Sequence, residues 1–133
     1  MKTEYLDRTL LRTNRYYCLC LSEKQFHKEL TRLGIKKNKR PDFLVKGFGA
    51  CVHYIDQAKS NNKIAIVCID TSRKDVDKLD IYALLTHEAV HIWQDTVESI
   101  NEDYPGNETE AYAIQNITLE LMRSYKKQIK GRK

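Results

Sequence analysis

Several features that would assign a function quickly are missing from this chain of 133 residues. There is no apolar stretch long enough to span a bilayer, so no membrane partner is expected. The N-terminal octapeptide, Met1-Lys2-Thr3-Glu4-Tyr5-Leu6-Asp7-Arg8, lacks the apolar run of a secretory signal, and a soluble product made in a cytoplasm is expected. None of the four cysteines forms a C-x-x-C pair. Cys18, Cys20, Cys51 and Cys68 lie in apolar, strand-like surroundings and read as small buried hydrophobes in a reducing compartment, not as thiolate metal ligands. Repeats, low-complexity tracts and linkers are absent, so residues 1–133 read as one domain with room for a minimal catalytic unit and no separate recognition module.

Charge does not identify a partner either. The net charge of +5 comes mostly from Lys36-Lys37-Asn38-Lys39-Arg40 and from the tail Lys126 to Lys133. Such clusters can contact phosphates, but no aromatic residues are interleaved at stacking spacing and no DNA-reading motif is present. A solvated loop and a flexible tail are the expectation, and nucleic acid is not the favoured partner. The oligomeric state is not legible.

The order of elements is legible. Arg15 to Leu21 is aromatic and apolar between polar flanks and predicts a strand. Ser22 and Gln25 then open a short amphipathic helix through Phe26, Leu30 and Leu33, closed by Gly34; His27 belongs to its surface. In the stretch from Phe43 to Ile55, Gly47 and Gly49 suggest a bulge or a close backbone approach. Asn61-Asn62 predicts a turn, and the continuous apolar run Lys63 to Asp70 predicts a central strand buried on both faces.

The informative feature is His87-Glu88-Ala89-Val90-His91. Residues four apart share a helix face, so both imidazoles can reach one Zn²⁺ while the intervening carboxylate stands beside them to take a proton from water. Leu79, Ile81, Tyr82, Leu84, Leu85, Val90, Ile92, Trp93 and Val97 surround the motif almost all round the helical wheel, which predicts a helix buried on most sides. Titratable groups on such a helix need a partner, and a metal is one.

A catalytic zinc site needs a third protein ligand, and Asn107 to Ala113 is the place to find it. The histidine helix should stop near Ile100, because Asn101 to Tyr104 is polar and Pro105-Gly106 is a turn signal; a second helix then begins at Asn107. Asn107 and Glu110 have capping-box spacing, which would give Glu110 a structural role and favours Glu108 as ligand. The apolar stripe Ala111, Ile114, Ile117, Leu121 and Tyr125 instead sets Glu110 nearer the buried face. The alternatives stay open at this point.

A histidine pair of this spacing followed by a glutamate on a second helix resembles the gluzincin arrangement of zinc peptidases, whose third ligand opens an E-x-x-x-D-like or E-x-x-A pattern. Glu108-Thr109-Glu110-Ala111 fits the latter. The strings His87 to Gln94 and Glu108 to Gln115 are similar to a family of small zincin-like proteins encoded by tailed bacteriophages, over about Lys63 to Leu121. The resemblance implies an α+β fold, a minimal zincin-like domain with a small, twisted, mainly antiparallel sheet packed against a buried metal-site helix and a second C-terminal helix. It implies Zn²⁺ held by His87, His91 and Glu108, Glu88 as general base, a peptide or protein substrate, and action in a host bacterial cytoplasm or a virion. Where many gluzincins have an aspartate four residues after the ligand glutamate, this chain has Tyr112. In zincin-like folds an edge strand lies above the metal helix and pairs with extended peptide; Ala50 to Ile55 is the candidate. Tyr112, Tyr104 and His53 are candidate substrate-contacting donors. The competing reading, drawn from the minimal size and the missing aspartate, is a zincin-like scaffold that acts through its surface as an interaction or virion-associated protein.

Overall fold

Alternating side chains divide one small sheet into two differently occupied faces. The computed structural model describes residues 2–6, 15–57 and 60–132; Met1, Asp7 and Arg8 of the N-terminal octapeptide and Lys133 of the tail lie outside them. The strands are β1 (Arg15–Cys20), β2 (Ala50–Gln57) and β3 (Asn62–Ile69), in the order β1-β3-β2. β3 is central as its unbroken apolar run predicts, and Ile64 through Ile69 are all buried. It runs antiparallel to β2 and parallel to β1. The sheet is therefore mixed and not mainly antiparallel: after β1 the chain passes through a helix and then β2 at the far edge, so that β3 returns between them, parallel to β1. Asn61, at φ 55°, supplies the left-handed residue of the turn between β2 and β3.

On one face Cys18, Cys20, Ile66 and Cys68 pack under α1 (Glu23–Arg32) with Phe26, Leu30 and Phe43. The start of α1 is fixed by Ser22, whose hydroxyl accepts from the Gln25 amide at 3.2 Å. The Gln25 side chain reaches one residue further back than in a capping box, accepting from the Leu21 amide at 2.9 Å and donating to the Leu19 carbonyl at 3.3 Å. Gly34, at φ 78°, turns the chain away after the helix.

The other face, Tyr17, Leu19, Ala65, Val67 and Ile69, is covered by α2 (Lys78–Ser99) and α3 (Asn107–Lys130). Asp77 and Asp80 cap the start of α2 reciprocally. Its buried residues, Ile81, Leu85, Glu88, Ala89, Ile92, Trp93 and Thr96, occupy one face, while Leu79, His87 and His91 are exposed. The histidine helix is thus buried on one side, not on most sides. α3 returns antiparallel, with Tyr125 edge-on to Tyr82 at 6.0 Å between ring centroids. Its buried stripe is Ala113, Ile117, Leu121, Ser124, Tyr125 and Gln128, so Ala113 and not Ala111 belongs to the core. The basic tail is helical through Lys130 and not a flexible extension. It is fastened by Gln128, which donates to the Leu19 carbonyl at 2.9 Å, and by Arg132, which donates to the Thr71 hydroxyl at 2.8 Å. No helix among the described residues is long and apolar enough to cross a membrane.

Leu121 is fully buried and Leu119, two residues away, is 41% exposed. Leu121→Ala should lower the free energy of unfolding by about 2–5 kcal/mol in a urea titration, whereas Leu119→Ala should change it by less than about 0.5 kcal/mol. Equal losses at the two positions would contradict the helix phase described.

Candidate metal centre

One α-helical turn separates His87 from His91, and their rings meet edge to face at 4.7 Å between centroids. The two Nε2 atoms converge to 3.0 Å. A tetrahedral zinc ion with Zn–N bonds of about 2.0–2.1 Å would hold two such nitrogens roughly 3.3 Å apart, so the pair is already near the spacing that one ion requires. The remaining nitrogen of His91, Nδ1, lies 3.2 Å from Oε1 of Gln94. An oxygen at that distance makes Nδ1 the donor and leaves the His91 Nε2 lone pair free to bind an ion; in the ion-free pair the Nε2 proton then belongs to His87. Gln94 thus orients a histidine from the same helix, three residues on.

Glu88 stands on the sheet side of the pair and is 4% exposed. Burial pushes its carboxyl pKa up, and the two neighbouring imidazoles draw it partly back down. The histidines and Glu88 open onto a cleft of about 330 Å³ whose opposite wall is β2, through Val52 and Tyr54, and the preceding loop, through Val45 and Phe48. β2 is an edge strand, as anticipated for Ala50 to Ile55. Tyr54 is positioned from beneath: the Arg15 guanidinium lies 5.3 Å from its ring centroid, and Arg15 is itself paired with Asp95, one turn beyond His91. Alternation along β2 makes Tyr54 face α2, a signal the sequence contains once β2 is known to lie above that helix.

The third carboxylate is not beside the imidazoles. Among the described residues no group of three or more His, Cys, Asp or Glu side chains is close enough to hold a metal ion. Glu110 is in phase with Ala113 and Ile117 but is itself exposed in the first turn of α3, and its Oε2 accepts from Trp93 Nε1 at 3.0 Å. The capping-box explanation for Glu110 does not hold: Gly106 is the N-cap residue and no side chain caps α3. Glu108, two residues earlier, is turned about 160° around the helix from the middle of the buried face. Glu110-Ala111-Tyr112-Ala113 also has the E-x-x-A spacing, and Ala113 is the buried alanine. The residues present therefore fit a zinc ion in part: two imidazoles converge, and no third ligand is assembled with them among the described residues.

No family model, curated protein or solved structure matches this chain significantly.

The remaining candidates are dispersed. His53 lies on the opposite face of the sheet, 4.8 Å between ring centroids from Phe26, with Nε2 at 2.9 Å from the Phe43 carbonyl. Period-two alternation turns it away from the cleft that Tyr54 enters. Tyr104 is 94% exposed in the turn before α3, and Tyr112 faces solvent on α3. Arg40 is folded back on the end of α1, donating to the Ile35 carbonyl at 2.9 Å and to the Thr31 hydroxyl at 2.9 Å. Trp93 and Gln94 are the residues that motif reading alone did not single out, and both lie within one turn of His91.

Nitrogen NMR of the imidazoles, in metal-free protein, should show His91 as the Nδ1–H tautomer. Gln94→Leu should shift it toward a tautomer mixture while the helical circular dichroism stays unchanged.

Proposed function

We propose that this chain is a small zinc-dependent peptidase of gluzincin type, in keeping with the bacteriophage-encoded proteins that it resembles. The observation that carries the reading is the convergence of two imidazole Nε2 atoms at 3.0 Å beside a buried glutamate, at the floor of a cleft walled by an edge strand. His87 and His91 would hold the ion; Glu110 is our choice for the third ligand, with Glu108 the other candidate. Bound there, Zn²⁺ would supply a Lewis acid for a scissile carbonyl and lower the pKa of water. Glu88 takes the proton from the attacking water and delivers it to the leaving amine, a task suited to a carboxyl whose pKa burial raises. An extended peptide pairs its main chain with the open edge of β2. The Tyr54 hydroxyl donates to the oxygen on which charge develops. A protein of this kind would act in a bacterial cytoplasm or a virion.

A second reading, a zincin-like interaction scaffold, is favoured by one observation: no three-ligand cluster is assembled among the described residues. Metal content per chain, by native mass spectrometry after zinc is offered, separates the two. One zinc is expected in wild type, none in His91→Ala, weaker retention in Glu110→Ala and unchanged retention in Glu108→Ala. No zinc in wild type would leave the scaffold reading.

With metal retained, Glu88→Gln should abolish cleavage of a peptide library, and Tyr54→Phe should lower kcat by about 10²-fold with little change in KM. Cleavage retained in Glu88→Gln would remove Glu88 as the base.

A further inference from the structure

The face of the sheet away from the histidines carries a second chemical arrangement. Strand register sets Cys20 of β1 opposite Cys68 of β3, and Cys68 opposite Cys51 of β2, so three thiols lie in a row across the sheet. Cys20 and Cys68 are fully buried under α1. Cys51, on the edge strand, is only half-buried. His53, two residues along β2 and on the same face, has Nε2 at 3.3 Å from the Cys51 sulfur and at 2.9 Å from the Phe43 carbonyl. A carbonyl only accepts, so Nε2 carries a proton and points its N–H between that oxygen and the sulfur. The Phe43 carbonyl also lies 3.4 Å from the Cys51 sulfur, and the Cys68 thiol has the Ile66 carbonyl at 3.9 Å. An imidazole N–H directed at the sulfur stabilises its thiolate, and the register places the Cys68 sulfur beside it as the partner for a cross-strand bond.

We propose that Cys51 and Cys68 form a hydroperoxide-reactive pair, Cys51 being the sulfur that is oxidised and Cys68 the one that closes a cross-strand disulfide with it.

Hydrogen bonds from Cys68 and His53 bring the Cys51 thiol down to about 5, while burial drives the Cys68 thiol far up. At neutral pH the pair is therefore one thiolate and one protonated thiol. The Cys51 thiolate attacks the outer oxygen of a hydroperoxide and the O–O bond breaks. The departing oxygen takes the His53 Nε2 proton as Nδ1 gains one from solvent, and leaves as alcohol, or as water when the oxidant is hydrogen peroxide. Cys51 is then a sulfenic acid, oxidised by two electrons, and the peroxide has been reduced by two. The Cys68 sulfur next attacks the Cys51 sulfur, the S–O bond breaks, and hydroxide leaves as water with the Cys68 proton. Two thiols and one hydroperoxide thus become one disulfide, one water and one alcohol. Because β2 also carries Val52 and Tyr54 on its other face, the new bond ties one wall of the cleft to the central strand.

The test uses the whole protein, metal-free, and does not depend on peptidase activity. Wild type is treated with one equivalent of hydrogen peroxide, denatured in N-ethylmaleimide and mapped by mass spectrometry without reductant. The expected result is loss of two of the four thiols, a mass lower by two hydrogens before alkylation, and a cross-linked peptide joining Cys51 to Cys68. Cys68→Ala should instead accumulate a dimedone-reactive sulfenic acid on Cys51, and Cys51→Ser should keep its remaining thiols. Iodoacetamide labelling of Cys51 in untreated wild type should change less than about twofold between pH 8 and pH 6, where an ordinary thiol slows roughly 80-fold. Survival of all four thiols, a bond between Cys20 and Cys68 that omits Cys51, or ordinary pH dependence of Cys51 labelling would overturn the proposal. If Cys68→Ala does not fold, the wild-type cross-link map and labelling profile decide.

Discussion

The phase of α2 against the sheet is the constraint on which the site depends. Ile81, Leu85, Ala89 and Ile92 must be covered by the sheet and α3, and this burial sets the rotation of the whole helix. Glu88 falls at the edge of the buried arc, and His87 and His91 fall just outside it, facing the cleft. A change of one residue in that phase would bury an imidazole and expose the glutamate. The hydrophobic packing of α2 thus decides which of the three groups is desolvated, and desolvation is what raises the Glu88 carboxyl.

The sheet serves two chemistries by alternation alone. Along β2, Ala50, Val52 and Tyr54 face the histidine helix while Cys51, His53 and Ile55 face α1. Neighbouring residues of one strand therefore serve separate environments, an imidazole cleft on one side and a thiol row on the other. Asp95, Arg15 and Tyr54 form a chain from α2 through β1 to β2, so the wall of the cleft is held by the same helix that forms its floor.

Much of this was legible from residues. The apolar run of β3 could only be a central strand, Ser22 with Gln25 marked the start of α1, and the Pro105-Gly106 signal set the division between α2 and α3. Other features depended on distant partners. Sheet direction is set by how the chain returns past β1, which no local propensity encodes. What Glu110 bonds to depends on the capping of α3. With Asn107 read as the cap, Glu110 had a local hydrogen bond to make; with Gly106 as the cap, it is free to bond Trp93 across the helix pair. His53 looked like a site histidine until the pairing of β2 showed which face it takes.

The sequence by itself determined what repeats at short range: a histidine pair four apart with a glutamate between, the limits of α1, the break between α2 and α3, an apolar central strand, and four cysteines on strands. These are set by local backbone geometry and side-chain periodicity, which a few consecutive residues specify. Only the tertiary structure decided which side chains meet. It placed Tyr54 above the histidines, Glu110 on Trp93, the basic tail against β1, and Cys51 opposite Cys68. Those meetings follow from strand register and helix phase, which are settled by burying the two faces of one sheet together and are invisible in any single segment.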